Sequence, residues 1–406
     1  MPIIYIVANI VPSNSVRIRI FVKIPVKSMY RYLYCLIIVF CIVSCNRAHK
    51  EFSSNYPMHN YTNVDLTISK PSVYRVEMDS TFVSSTYGKS GIVNDNLYYL
   101  DSYNSFLYQY DNKGNIFGKY LGIGSDPDKI NCGPIAAHSF TSNGKLVIYG
   151  TSDDVYVYNS DYIHVPNESF RLTRMENNSG NPDAFETYTF PRFIVCRSYG
   201  DKIYINNTSN AYGFNYFETP DDYAKNCRII TEYDIPNKGI GRLLGKGLPQ
   251  FYHGTSDKNY IFSEFTFDID TDGNFYLGFL ADSLIYKFDK DFRPVSAFGY
   301  SGNNMDMQYM SVTNPKDIYP KANEQYESKG WYTWIEYIPE KDWICRSYHK
   351  GGNSTTDGLQ IYEGNVLIAD IDVPVGFKPI GYVYPYLFSD LISENSTVVF
   401  YKIVIE

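Results

Sequence analysis

Asn96-Leu97-Tyr98-Tyr99-Leu100-Asp101, then Ser102-Tyr103-Asn104-Ser105, then Phe106-Leu107-Tyr108-Gln109-Tyr110-Asp111: two short Tyr-rich apolar runs joined by four polar-leaning residues. Runs of this length and composition, bounded by Asn, Asp and Ser, read as paired β-strands. The pattern returns at Lys145-Leu146-Val147-Ile148-Tyr149 with Val155-Tyr156-Val157-Tyr158-Asn159, and at Asn274-Phe275-Tyr276-Leu277-Gly278 with Leu284-Ile285-Tyr286-Lys287-Phe288-Asp289. Lys202-Ile203-Tyr204-Ile205 with Tyr212-Gly213-Phe214-Asn215-Tyr216-Phe217 reads as a further copy. Several copies close on Tyr-x-Tyr/Phe followed by Asp or Asn, and Asn112-Lys113-Gly114, Ser142-Asn143-Gly144 and Asp272-Gly273 punctuate them as turns.

Two less regular units follow. Trp343-Ile344-Cys345-Arg346-Ser347-Tyr348 runs toward Leu359-Gln360-Ile361-Tyr362, and residues 396–405 close the chain. Taking Tyr98, Val147, Tyr204, Tyr276, Ile344 and Val398 as markers, the units recur roughly every 50–70 residues, the interval of propeller blades with insertions. The expected fold is all-β, a six-bladed β-propeller over residues 73–406. Its C-terminal strand, near 398–405, is expected to pair with an N-terminal strand near 73–78 and so leave no open sheet edge.

Composition agrees. Of 406 residues, 44% are hydrophobic, 20% charged and 17% aromatic, with 41 Tyr, which describes a folded globular chain poor in helix signals. A net charge of −8 argues against a phosphate-binding surface, so no nucleic-acid partner is expected.

The N-terminus carries an address. Residues 33–43, LYCLIIVFCIV, follow Lys27 and Arg31 and are too few for a membrane span, which needs about 20, yet suit the core of an export signal. Ile42-Val43-Ser44-Cys45 resembles a bacterial lipobox, whose Cys is acylated through its thiol and becomes the mature N-terminus. The expected organisation is a leader over 1–44, a tether over 45–72 and the propeller over 73–406. Met29 opens a conventional signal, so residues 1–28 read as an over-called start, or alternatively as a short extra segment in which 16–24 alternate like a strand. Losing 1–44 removes Arg17, Arg19, Lys23, Lys27 and Arg31 and no acid, leaving 31 − 44 = −13. The expected partner is a lipid bilayer reached through acylated Cys45, in the cell envelope. The outer membrane is favoured because Asn46 rather than Asp follows the Cys.

The lipobox, the blade pattern, Gly302-Asn303-Asn304-Met305-Asp306 and Gly376-Phe377-Lys378-Pro379-Ile380-Gly381-Tyr382 resemble the TolB-like six-bladed β-propeller lipoproteins of Bacteroidetes. The resemblance spans roughly residues 70–406. Related propellers often carry a Gly-x-Gly-Pro-x-Glu turn, in whose place stands Gly122-Ile123-Gly124-Ser125-Asp126-Pro127-Asp128, without the Gly-Pro step.

Catalytic signatures are sparse. The six His (49, 59, 138, 164, 253, 349) are scattered, and neither HExxH nor GxSxG occurs. Asp268-Ile269-Asp270-Thr271-Asp272-Gly273 matches the first half of a calcium loop, but the ninth and twelfth positions are Tyr276 and Phe279, and a hairpin turn uses Asp and Gly equally well. No metal or cofactor is expected. Outside the leader stand Cys132, Cys196, Cys227 and Cys345. Cys-Arg-Ser-Tyr occurs at 196–199 and again at 345–348. If these are equivalent strands on opposite sides of the ring, a Cys196–Cys345 disulfide is too long to form.

All three Trp fall at 331, 334 and 343. Trp331, Tyr332, Trp334 and Tyr337 are the candidate ligand-binding cluster, set against a plain packing role. Arg197 and Arg346 are candidates for an anion-binding channel mouth, set against paired surface arginines. The functional expectation is a membrane-anchored, non-catalytic propeller binding a peptide, protein or glycan at one face. The alternative is a glycan-active hydrolase or lyase on the same scaffold.

Overall fold

Leu97 and Tyr99 pack with Phe388 and Phe400, while Tyr98 and Leu100, on the opposite side of the same strand, pack with Leu146 and Ile148. A strand buried on both faces must read as a continuous apolar run rather than an alternating one. That is why the Tyr-rich runs stand out in the sequence. The computed structural model describes residues 5–10, 16–21 and 55–405, apart from 58, 61, 69, 132–133, 175–179, 254–261 and 311–316.

Six antiparallel sheets form the blades. Blade one is Gly88–Val93, Asn96–Asp101, Phe106–Tyr110 and Ile116–Leu121. Blade two is Ile135–Phe140, Leu146–Gly150, Asp154–Tyr158 and Phe170–Arg171. Blade three is Cys196–Tyr199, Lys202–Asn206, Ile230–Asp234 and Gly239–Leu244. Blade four is Phe265–Ile269, Phe275–Phe279, Ile285–Phe288 and Pro294–Phe298. Blade five is Trp331–Ile338, Trp343–His349, Asp357–Glu363 and Val366–Val373. Blade six takes Pro379–Val383, Tyr386–Ser389 and Thr397–Val404 from the C-terminus and Ser72–Glu77 from the N-terminal side.

The last pairing closes the ring: Val404 lies opposite Ser72 and Val399 opposite Glu77, in unbroken antiparallel register. Each blade-to-blade interface carries its own buried apolar cluster, as with Leu146 and Ile148 facing blade one while Val147 and Tyr149 face blade three. Burying one Leu- or Tyr-sized side chain contributes about 1.5–3 kcal/mol, so alternating the faces of one strand links two interfaces.

The residues that close the Tyr-rich hairpins have a defined job. Asp111, Asn159 and Asp289 each follow a third strand. Their Oδ1 atoms accept the backbone N–H groups two and four residues on, at 2.8–3.0 Å. This is the Asx-turn chemistry that lets a short polar side chain replace a missing ladder bond.

Four expectations need correction. Five of the six markers lie on second strands, but Val398 lies on the third strand of blade six, because that blade borrows its fourth strand from residues 72–77. The stretch 212–217 is not a third strand. Asn215 Oδ1 accepts the N–H groups of Phe217 and Glu218, turning the chain into the helix Pro220–Asn226. The two Cys-Arg-Ser-Tyr segments are not equivalent, being the first strand of blade three and part of the second strand of blade five. Cys196, Cys227 and Cys345 are buried free thiols; Cys132 lies outside the described residues. Finally, much of the expected tether packs on the ring. Tyr56 meets Phe279, Tyr286 and Phe288 edge-on, and Asn63–Val64 pairs in parallel with Val366 and Leu367.

Residues 1–54 form a separate compact unit, of which the antiparallel pair Tyr5–Ile10 and Val16–Phe21 is described. Cys45 lies outside the described residues. No helix among the described residues is long and apolar enough to cross a membrane.

Candidate functional site

The up-and-down strand order places every link between second and third strands, and every crossover to the next blade, at one end of the ring. The insertions collect there: the helix Pro220–Asn226 between strands of blade three, and the helix Ile318–Ser328 between blades four and five. From blade two round to blade one, the first strands of successive blades pack against one another and surround the central channel. Each of the first five carries a titratable residue on its channel side or beside it: Lys89, His138, Arg197, Asp268 and Glu336. Lys378 stands immediately before the sixth.

Arg197 organises the channel. Its guanidinium meets Asp268 of blade four at 3.1 Å and Glu336 of blade five at 2.5 Å, and it also donates to the carbonyls of Phe267 and Ile335. Trp334 Nε1 donates to Glu336 at 2.9 Å, and the Tyr337 N–H donates to Asp268 at 2.7 Å. Burial alone lowers the Arg197 pKa, and the Asp268 and Glu336 charges more than offset it. Burial pushes Glu336 up to about 7, Asp268 adding to the rise and Arg197 opposing it. Burial likewise raises Asp268.

Three cations surround one ring. Lys89 Nζ lies 4.0 Å, the Arg197 guanidinium 5.0 Å and Lys378 Nζ 5.9 Å from the Trp334 ring centroid, within the range of cation–π attraction. Lys89 also donates to the Ile194 carbonyl at 3.0 Å, and forms no ion pair among the described residues. Burial, reinforced by Arg197 and Lys378, brings its ammonium down to about 7. The same forces, burial first and then Lys89 and Arg197, lower His138 to about 3. Lys89, Ser90, Tyr98, His138, Ser139, Arg197, Trp334 and Glu336 line a cavity of about 170 Å³.

The predicted aromatic cluster is divided by strand geometry. A bulge between Tyr332 and Trp334 shifts the alternation. Trp331 packs on Phe193 and Tyr326, beside the Ile194 carbonyl that holds Lys89. Trp334 reaches the channel. Tyr332 is buried at 1% exposure with its ring 3.8 Å from the Arg346 guanidinium, and Tyr337 stacks flat on Tyr276 at 6.4 Å. Trp334 and Arg197 are therefore the predicted residues that meet.

Arg346 belongs neither to a channel mouth nor to the surface. It is fully buried between blades four and five, donating to the carbonyls of Ser283 and Tyr300 and to Gln360 Oε1. Every edge of its fork is occupied, which leaves nothing for an outside anion. The three aspartates also separate. Asp268 serves Arg197, whereas Asp270 accepts from the N–H groups of Asp272 and Asn274 and closes a hairpin. No group of three or more His, Cys, Asp or Glu converges as a metal site among the described residues.

Lys89, His138, Glu336 and Lys378 were not singled out by sequence. Their shared signal is a titratable residue at the start of each repeat, one strand before the conspicuous Tyr-rich run.

These features define a six-bladed β-propeller with an ion-paired central channel. No protein-family model and no curated protein matches the sequence. Among solved structures, the chain is similar to a member of the DUF4221 family from Bacteroides vulgatus, with a TM-score of 0.56 and 10% identity over 86% of this chain and 99% of the other. It also matches a Bacteroides fragilis protein (TM-score 0.48, 13% identity, 86% and 99% covered) and virginiamycin B lyase from Staphylococcus aureus (TM-score 0.39, 10% identity, 83% and 100% covered). At such identities the likeness speaks for the fold alone.

Proposed function

We propose that the chain is a membrane-anchored, non-catalytic propeller of the TolB-like lipoprotein kind, acylated at Cys45, that binds a peptide, protein or glycan at one face, through its central channel. The observation that carries this reading is the meeting of Trp334 with Lys89, Arg197 and Lys378 around a polar cavity. A rigid ring presenting an aromatic and several cations in one place suits recognition. The charged pairs inside it are mutually satisfied rather than poised. The test is capture: immobilised, detergent-extracted protein is challenged with envelope proteins and glycans, beside Trp334→Ala. Specific retention by the parent, lost in the folded variant, is the expected result; equal retention by both rejects the channel as the binding end.

A glycan-active hydrolase or lyase is the second reading, favoured by Glu336, whose pKa of about 7 is that of a general acid. Arg197 ties Glu336 to Asp268, so the two carboxylates lack independent roles. Release of reducing ends from a glycan panel, abolished by Glu336→Gln, is the result that establishes catalysis.

A further inference from the structure

The cavity is lined by an unusual number of polar groups with free capacity. Tyr98, His138 and Ser139 line the space, and among the described residues their side chains make no hydrogen bond to the protein, although the rings of Tyr98 and His138 pack together at 5.8 Å. Donors and acceptors that open onto a cavity without a protein partner can be met by a polar occupant. Lys89 gives the occupant its sign. It is the cation on the wall with no carboxylate partner, whereas the Arg197 fork is taken by Asp268 and Glu336, and Asp390 is taken by the N–H groups of Ser90 and Leu391.

From this arrangement we propose that the channel cavity is a binding pocket for an acidic sugar unit, whose carboxylate pairs with Lys89 and whose hydroxyls meet Tyr98, His138 and Ser139. The inference rests on the recognition reading above and names its ligand class. A cavity of about 170 Å³ is smaller than the pockets of roughly 300–1,000 Å³ that take drug-sized molecules, so it receives one small unit rather than a long segment. One unpaired ammonium matches one negative charge. The Arg197 fork, which would grip a phosphate dianion, is closed, and Lys378, the other ammonium near Trp334 without an ion pair among the described residues, is not one of the residues that line the cavity. Hydroxyl partners along the wall favour a hydroxyl-bearing carboxylate over an apolar one. His138 stays neutral and offers one donor and one acceptor.

Binding is coupled to a proton. Arg197, Lys378 and the neutral His138 face Lys89 on one side of the balance, and Glu336 and Asp390 on the other. With its pKa near 7, Lys89 is largely neutral at pH 8. A carboxylate that requires the ammonium must then bring a proton with it. Affinity should therefore fall as pH rises from 6 to 8.5, and ionisation of Glu336 acts in the same direction.

The test is titration calorimetry of the full chain with sodium glucuronate, glucose, sodium acetate and inorganic phosphate, at pH 6 and at pH 8 in two buffers of different ionisation enthalpy. Glucuronate is expected to bind at least about tenfold more tightly than the other three, with proton uptake at pH 8. Lys89→Met is expected to lose about tenfold or more and to abolish the uptake. Tyr98→Phe, which keeps the ring packing, is expected to weaken glucuronate severalfold and leave acetate unchanged. No glucuronate binding by folded protein, unchanged binding in Lys89→Met, or equal binding of phosphate overturns the pocket. If glucuronate fails while capture of an envelope partner succeeds, the pocket falls and the recognition reading stands. Glucuronate binding lost in Lys89→Met, with nothing captured, supports the pocket alone.

Discussion

Arg197 Nη2 on blade three lies 2.5 Å from Glu336 Oε2 on blade five, spanning the position of blade four, whose Asp268 meets the same guanidinium at 3.1 Å. One side chain thus ties three blades together at the axis. Removing one partner of a buried charge group leaves the others desolvated and unpaired, at a cost of about 3–5 kcal/mol. Arg197→Met is expected to lower stability by that order, and Glu336→Gln by less, because the amide still accepts from Trp334 Nε1. Urea unfolding of the two variants checks the ranking; equal, small losses would falsify the tie.

The same channel predicts an unusual pH profile. Glu336 is raised to about 7 from its ordinary value of 4.5, so between those pH values the folded state holds more protons and stability falls as pH rises. Lys89 is lowered to about 7 from 10.5, so between 7 and 10.5 the unfolded state holds more protons and stability climbs with pH. The two contributions meet in a minimum near pH 7. Glu336→Gln should flatten the acidic limb and Lys89→Met the alkaline one. Melting temperatures from pH 5 to 10 decide it, and a profile unchanged by either variant counts against the assignment.

Arg346 predicts the opposite of a binding residue. Its planar fork serves Ser283, Tyr300 and Gln360 at once while its face lies on Tyr332. Lysine has one point of charge and no fork, so Arg346→Lys is not conservative. Arg346→Ala is expected to cost about 3–5 kcal/mol, with Arg346→Lys losing a large part of that. Ligand capture per folded molecule should remain at the parent level in the lysine variant. Thermal unfolding beside the capture assay separates the two effects.

What the sequence disclosed follows from burial. Second strands such as Asn96–Asp101 and Leu146–Gly150 are covered on both faces, so they appear as dense apolar runs ending in Asp or Gly. The first strands face the channel on one side, and stretches such as Gly88-Lys89-Ser90-Gly91 and Cys196-Arg197-Ser198 carry no comparable run. The scaffold was therefore legible and most of the site was not. Arg197 stands out in the sequence only through a four-residue echo that links non-equivalent strands. Trp334 stands out because tryptophan is rare here, and the bulge that separates it from Tyr332 has no sequence signal of its own.

Anchoring is tested on the intact chain in its bacterial host. An acylated Cys45 with several chains, at about 0.8 kcal/mol per buried methylene, holds a protein on a membrane without any spanning helix. Cys45→Ser is expected to move the protein from the membrane fraction to the soluble one, without a change in melting temperature for the ring. Continued tight membrane association of the serine variant rejects lipid anchoring at this residue.

Ring closure makes the last prediction. The strand Ser72–Glu77 supplies the outer edge of blade six by pairing with Thr397–Val404 along its whole length. Its side chains are mostly exposed, so its contribution lies in the ladder and in the Arg75 contacts with Glu394 and Thr397 rather than in apolar burial. A chain lacking residues 1–78 should still be able to build blades one to five, but it leaves Thr397–Val404 as an unpaired edge carrying Val399, Phe400 and Ile403. Such an edge is a template for pairing with another chain. The truncated protein is expected to aggregate or dimerise, and a synthetic peptide spanning residues 71–78 added during refolding should restore the monomer. Size-exclusion chromatography with and without the peptide reads both outcomes. A truncated chain that remains monomeric and as stable as the parent shows that the ring does not depend on this closure.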